Sequence, residues 1–97
     1  MKPILTYHNG DKLFELQPHK GRKSFYGKAQ VIQQEINGEI ISKLQSYSTI
    51  VAEYNHTTNT MTVRGWYSNT TARHINAFLN YYGFNTCNKK QLQNYKQ

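Results

Sequence analysis

A segment near the start of the chain interleaves positive charge with aromatic rings. Positions 19–28 read HKGRKSFYGK, with four lysines or arginines, one histidine and two aromatic residues. Lys and Arg can hold phosphates, and a neighbouring aromatic ring can stack on a base or on a partner's surface. The same composition is typical of a solvated loop whose aromatic residues anchor it to the core, so both interpretations stay open. The candidate contact residues of this basic loop are Lys20, Arg22, Lys23, Phe25, Tyr26 and Lys28.

A second candidate contact surface lies at positions 68–81, where hydroxyl groups and positive charge precede an apolar repeat. Ser68, Thr70 and Thr71 stand at the start of a predicted helix, where free backbone N–H groups can bind an anion. Simple capping of the helix by Ser or Thr is the more common role. His74 lies at the edge of the apolar stripe, so a packed, hydrogen-bonded histidine is favoured over a ligand-binding one. The candidate contact residues of this segment are Thr70, Arg73, His74, Asn76 and Tyr81.

Catalytic and metal-binding patterns are not evident in the sequence. Glu35 and Glu39 are near each other, but pairing across a hairpin turn would send them to opposite faces of the sheet. The four histidines never fall at a metal-binding i, i+4 spacing, and there is no Gly-rich phosphate loop. Cys87 is the single cysteine, and a lone cysteine near a C-terminus is more often inert than nucleophilic. We therefore predict a protein that is not an enzyme and that carries no metal and no cofactor.

The charge of the chain is concentrated at its two ends. The net charge is +7. Residues 1–28 include six basic and two acidic residues, and residues 68–97 include four basic and no acidic residues. The middle of the chain, 29–67, has two basic and three acidic residues. Such a field favours polyanions or acidic protein faces as partners. The middle of the chain is interpreted as a scaffold, and the ends as the electropositive surface.

The elements that must position these residues form an α+β fold in one domain. We expect an irregular basic segment over 1–27 with one short strand at 12–17, a β-meander over 28–67 and a helical part over 68–97. Asn37-Gly38 is the strongest hairpin signal in the sequence, because both positions of a type I′ turn need positive φ. Strands are predicted at 28–36 and 61–67, with Gly65 marking a bulge or a close backbone approach.

The segment after Glu39 and the C-terminal segment differ in how clearly their secondary structure can be predicted. From Glu39 the spacing of Ile40, Ile41, Leu44 and Tyr47 also fits a helix, but the Asn-Gly lead-in and the β-rich residues 47–51 favour one long, bent strand. A main helix is predicted over 71–82, with one apolar stripe that buries Ile75, Leu79 and Tyr82 and with Gly83 as its stop. A short second helix is predicted at 89–95.

The sequence carries no apolar run that could span a bilayer, and its first residues lack the apolar core of a signal peptide. A lone cysteine fits a reducing compartment. We therefore expect the protein to act in the cytoplasm.

Three stretches resemble a group of small uncharacterised proteins encoded by phages, plasmids and other mobile elements of low-GC Gram-positive bacteria. They are KSFYGKA at 23–29, SYSTIVA at 46–52, and YSNTTARHINAFL at 67–79 followed by GF at 83–84. The resemblance covers roughly the last three quarters of the chain, and its YSxTTxRHINxFL signature is fairly specific. It implies a biological setting and carries no catalytic residue.

That setting suggests a function, because small non-enzymatic proteins of mobile elements often block host defence. Our leading hypothesis is an anti-CRISPR inhibitor of a type II effector nuclease, with the effector or its guide-bound form as partner. A basic inhibitor would hold an acidic patch of the nuclease or compete for its guide RNA, since a mimic of DNA would be acidic. The alternative is a nucleic-acid-binding accessory or regulatory protein, and a small nuclease or toxin is a distant third.

Overall fold

The computed structural model describes residues 11–17, 25, 27–65 and 67–95, which form an antiparallel sheet with helices packed against it. Five strands follow one another as β1 (Lys12–Glu15), β2 (Ala29–Ile36), β3 (Glu39–Ser46), β4 (Thr49–Asn55) and β5 (Thr60–Val63). They pair in sequence order, each antiparallel to the next, so the sheet is a meander. Two helices follow, α1 (Asn69–Tyr81) and α2 (Lys89–Gln93). The predicted α+β class, with a main C-terminal helix and a short second one, is confirmed.

The Asn37-Gly38 turn sets the register of the central hairpin. Asn37 has φ 53° and Gly38 has φ 82°, the conformation that a type I′ turn requires. Ile36 consequently pairs with Glu39, and Glu35 pairs with Ile40. Side chains alternate along a strand, so Glu35 and Glu39 lie on opposite faces of the sheet, as predicted.

The predicted long, bent strand after Glu39 is wrong in one respect. The segment is extended, as expected, but it reverses at Tyr47-Ser48 and forms the two strands β3 and β4. Tyr47 is not a usual turn former, and the β-rich composition on both sides outweighs the weak turn preference of Ser48. The turn is held by partners distant in sequence, because the Tyr47 N–H donates to the carbonyl of Lys28 at 2.7 Å.

The edges of the sheet also differ in detail from the prediction. The first strand ends at Glu15, and the last strand, Thr60–Val63, ends before Gly65. The one register shift in the described ladders lies between Leu44 and Gln45, so the predicted bulge at Gly65 is wrong. A side chain at Gly65 would meet nothing within 4 Å, and its φ of 125° explains the glycine. Trp66 lies outside the described residues.

Helix α1 lies across one face of the sheet and closes the main core. Ser68 caps its first turn, with the side chain accepting from the Thr71 N–H, so the capping interpretation is confirmed. Its apolar stripe packs on the sheet, with Ile75, Phe78 and Leu79 fully buried and Tyr82 only half-buried. The buried sheet residues of this core are Ala29, Val31, Leu44, Val51, Ala52, Met61 and Val63. No helix in the described part of the chain is long and apolar enough to cross a membrane.

Candidate functional site

Five residues from three segments meet beside the first turns of α1, and we call them the basic–aromatic cluster. They are Phe25, Lys28, Tyr47, Arg73 and His74. The Phe25 and His74 ring centroids are 4.5 Å apart at a steep angle, and those of Tyr47 and His74 are 5.6 Å apart. The cluster therefore joins the segment before β2, the β3–β4 turn and the helix.

The two cations of the cluster lie over aromatic rings. The Lys28 Nζ is 5.8 Å from the centroid of Tyr47, and the Arg73 Cζ is 5.8 Å from the centroid of Phe25. Exposed contacts of this kind contribute about 0.5–1 kcal/mol each, enough to orient a side chain without burying its charge. Both residues are exposed. Each cation is therefore supported by an aromatic ring and remains accessible to solvent.

Nearby carboxylates do not neutralise these cations. Within the described residues the ion pair present is Arg64 to Glu53, at 2.8 Å, and neither Lys28 nor Arg73 pairs with a carboxylate. The Glu15 carboxylate does approach the cluster, since its Oε2 lies 3.3 Å from where a Cβ on Gly27 would stand. The cluster is therefore positive overall, with one acidic neighbour at its side.

His74 is the buried centre of the cluster. It is 1% exposed, and its Nδ1 lies 2.7 Å from the Ser46 Oγ, which in turn lies 3.0 Å from the Thr71 Oγ1. Burial, aided by the positive charge of Arg73, lowers the pKa of His74 to about 4. The imidazole is therefore neutral at pH 7, and the packed, hydrogen-bonded histidine expected from sequence is confirmed.

Two serine–histidine contacts invite comparison with hydrolytic sites. Besides Ser46 with His74, the Ser42 Oγ lies 2.8 Å from the His56 Nε2 and accepts a 2.8 Å hydrogen bond from the Tyr82 hydroxyl. Both serines are buried, at 0% and 2% exposure, so neither hydroxyl can reach a substrate carbonyl. These contacts tie the helix to the sheet.

Cys87 borders an open cavity of about 420 Å³ that is also lined by Lys90, Gln91, Asn94 and Tyr95. Burial raises the pKa of the Cys87 thiol, which keeps it protonated at neutral pH and weakens it as a nucleophile. In residues 11–17, 25, 27–65 and 67–95, no group of three or more His, Cys, Asp or Glu side chains is placed to hold a metal ion.

The remaining candidate residues other than Tyr81 fall in three places. Lys20, Arg22, Lys23 and Tyr26 lie outside the described residues. Thr70 is exposed on the first turn of α1, beside the cluster. Asn76 turns inward, donating to the Cys87 carbonyl at 2.9 Å and accepting from the Cys87 N–H at 2.7 Å.

Tyr81 belongs to a different surface from the other candidates. It is 59% exposed, and its ring contacts Phe14 in a tilted arrangement and Tyr82 edge-to-face, with centroid distances of 5.4 and 4.9 Å. Eight positions of helix separate it from Arg73, which corresponds to about 12 Å along the axis. Tyr81 is therefore not part of the cluster.

The sequence reasoning missed Tyr47, which completes the cluster. The residue was assigned to the interior of a strand, whereas it stands at a turn with φ 57° and 39% of its surface exposed. Tyrosine rarely adopts positive φ, so the residue type at position 47 does not indicate a turn. Its place in the cluster depends on how β2, β3 and β4 pair in the sheet.

Comparison with curated proteins and with solved structures finds no match. A family model does match, over residues 14–94. The match runs from β1 through α2 and includes every residue of the basic–aromatic cluster. Since it covers most of the 97 residues, the chain belongs to DUF8033, a family of unknown function.

Proposed function

We propose that this chain is a non-catalytic binding protein and that the basic–aromatic cluster is its contact surface for an anionic partner. One observation carries the proposal: Lys28 and Arg73 are exposed at one end of α1, each over an aromatic ring and neither paired with a described carboxylate. Ring-supported cations are already oriented before a partner arrives, so less side-chain entropy is lost on binding.

Binding is favoured over catalysis because the candidate reactive groups are hidden or inactive. The two serines with histidine partners are buried, and the Cys87 thiol is held in its protonated form. His74 is neutral but has no access to solvent. The described surface of the cluster presents two cations and one phenol ring, with the exposed Thr70 on the first turn of the same helix, and these groups suit recognition.

The partner we propose is a host defence nuclease, and specifically a type II CRISPR effector or its guide-bound form. The resemblance to proteins of phages and plasmids supports this setting, in which the chain would act as an inhibitor in the cytoplasm of the bacterial host. A positive cluster suits either an acidic patch of the effector or the phosphates of its guide RNA. The inhibitor would bind free DNA only weakly and without sequence preference.

The test is target cleavage by a matched type II effector, with the protein added before or after guide loading. We expect inhibition by the unaltered protein and weaker inhibition by the double variant Lys28→Gln, Arg73→Gln. The matched control is Lys12→Gln, Lys90→Gln, which removes the same charge from exposed positions outside the cluster. Cleavage that continues with every cognate effector, or equal loss of inhibition in both double variants, would overturn the proposal.

A second candidate function is a nucleic-acid-binding accessory or regulatory protein. The half-exposed ring of Tyr47 beside Lys28 favours it, since a cation next to an aromatic ring is a common element of single-strand binding sites. Capture from host lysate, with and without prior nuclease treatment, separates the two candidates. A partner that is lost after nuclease treatment would favour this second function.

A further inference from the structure

Tyr47 has a backbone conformation that tyrosine rarely adopts. Among the described residues other than glycine, positive φ occurs at Asn37, Tyr47 and Asn59. Asparagine tolerates the left-handed region, but a bulky side chain there makes the folded state less stable. An asparagine at position 47 would form the same turn with less strain. The turn conformation by itself therefore does not account for a tyrosine at this position.

The surroundings of Tyr47 fix its backbone and leave its ring accessible. The Tyr47 N–H donates to the Lys28 carbonyl at 2.7 Å, and the Gln45 side chain donates to the Tyr47 carbonyl at 2.9 Å. The ring rests near the buried imidazole of His74, while 39% of the residue stays exposed. The strained turn thus holds a phenol ring at the surface, with the Lys28 ammonium over it and with His74, the helical neighbour of Arg73, beside it.

We infer that the ring of Tyr47 is a stacking platform for an unpaired base of a single-stranded nucleic acid, with Lys28 and Arg73 contacting its phosphates. The inference rests on the proposed function in that it uses the same contact surface. Stacking of a base on an aromatic ring is stronger than an exposed cation–π contact, so a base can replace the Lys28 ammonium over the ring. The released ammonium then lies next to the bound nucleotide.

We expect this surface to bind single-stranded nucleic acid more tightly than duplex. We also expect it to stack on a base and not to recognise the base edges by hydrogen bonds. In a duplex the faces of the bases are covered by their neighbours, so one ring at a turn can stack only on an unpaired base. Asn76, the amide of α1 nearest to the cluster in sequence, is already bonded to Cys87. We therefore expect binding that tolerates many sequences, as stacking sites do.

The test compares Tyr47→Asn with the unaltered protein by fluorescence anisotropy on labelled RNA and DNA strands of about 12 nucleotides, within the range of single-strand sites. We expect the affinity of Tyr47→Asn to be about 5- to 150-fold lower, the factor that one stacked base supplies. Its melting temperature should stay close to that of the unaltered protein, because asparagine adopts the positive φ of the turn more readily while the ring contacts with His74 and Lys28 are lost. Tyr47→Phe should bind as the unaltered protein does, and Tyr81→Asn, on the distant exposed tyrosine, is the matched control.

A salt series supplies a second readout. The slope of log affinity against log salt should fall by roughly 0.7 for each phosphate contact removed in Lys28→Gln and Arg73→Gln. For Tyr47→Asn the slope should stay unchanged, because the stacking contact involves no counterion release. A change in slope for Tyr47→Asn that matches the lysine variant would contradict the stacking role.

Three results would overturn the inference. They are an unchanged affinity in Tyr47→Asn, equal or tighter binding of a duplex of the same length, and no binding of any strand by the unaltered protein. Binding of polyglutamate with the same dependence on Tyr47 would assign the surface to an acidic protein instead. The nuclease assay is read separately: strand binding without inhibition contradicts only the inhibitor proposal, and inhibition by a protein that binds no strand contradicts only the stacking platform.

Discussion

At the scale of single residues, the polar groups at the helix–sheet boundary are all used within the fold. Ser46 joins Thr71 and His74, and Ser42 joins His56 and Tyr82. No buried side-chain nitrogen or oxygen of the described residues lacks a hydrogen-bond partner. A buried polar atom that loses its partner keeps its desolvation penalty, so these contacts are more costly to break than surface ones.

Replacing Ser46 by Ala should therefore lower the free energy of unfolding by about 1–3 kcal/mol, because two buried groups lose a partner. Chemical denaturation at pH 7 measures this change. Thr62→Ala, at an exposed position on β5, should leave stability within about 0.5 kcal/mol of the original. Equal effects of the two substitutions would argue against the buried network.

His74 should make stability depend on pH in mildly acidic solution. Its folded-state pKa of about 4 lies below the unfolded value of 6.5, so between them the unfolded chain binds more protons. The free energy of unfolding should fall as the pH drops from about 6.5 to about 4, by on the order of 3 kcal/mol for this group. Above that window the His74 contribution is constant.

Denaturation midpoints measured at several pH values test this dependence, together with an NMR titration of the His74 ring. In His74→Gln, which has no titrating group at this position, the fall between pH 7 and pH 4 should be smaller. A His74 ring that titrates near pH 6.5 in the folded protein would refute the prediction.

At the scale of elements, α1 owes its position to burial of its apolar stripe. Leu79 is fully buried between the helix and the sheet. Leu79→Ala should lower the free energy of unfolding by about 2–5 kcal/mol, through lost burial and the cavity left behind. Thermal unfolding measures it, with exposed Asn80→Ala as the control on the same helix. An unchanged melting temperature for Leu79→Ala would contradict the packing of α1.

One side chain of α1 bonds to the backbone of the segment that leads into α2. Asn76 satisfies both the N–H and the carbonyl of Cys87, and α2 begins two residues later. Asn76→Ala should leave both groups of Cys87 without their partner, at a cost of about 1–3 kcal/mol. Hydrogen exchange at the Cys87 amide should become faster than in Asn85→Ala, a control in the same segment. Unchanged protection of that amide would contradict the role of Asn76.

At the scale of the whole molecule, the net charge of +7 means that the positive side chains repel one another and destabilise the folded state. Added salt screens this repulsion, since the Debye length shortens from about 30 Å at about 0.01 M to about 8 Å at about 0.15 M. The melting temperature should therefore rise over this range of NaCl. The double variant Lys28→Gln, Arg73→Gln, which carries less charge, should show a smaller rise, and a fall in melting temperature with salt would contradict the prediction.

The sequence by itself determined the features that depend on neighbouring residues. The Asn37-Gly38 turn and its strand register follow from the φ values that only a few residue types tolerate. The stripe of α1 follows from helical spacing, and a hydroxyl cap at its start follows from the unpaired N–H groups of the first turn. Which of Ser68, Thr70 and Thr71 forms the cap was left open by the sequence, and it is Ser68. These signals are local, so they could be read along the chain.

The tertiary structure alone decided where the candidate site lies. The sequence predicts Arg73 and Lys28 as contact residues of two separate segments, but the support of the Arg73 guanidinium by Phe25 and the place of Lys28 over Tyr47 depend on contacts between distant segments. The Tyr47 N–H at the reversal donates to the carbonyl of Lys28, 19 positions earlier. Asn76 was expected to face a partner and is bonded to Cys87 instead. Such pairings depend on which strands and helices become neighbours, and residue types along the chain do not specify that.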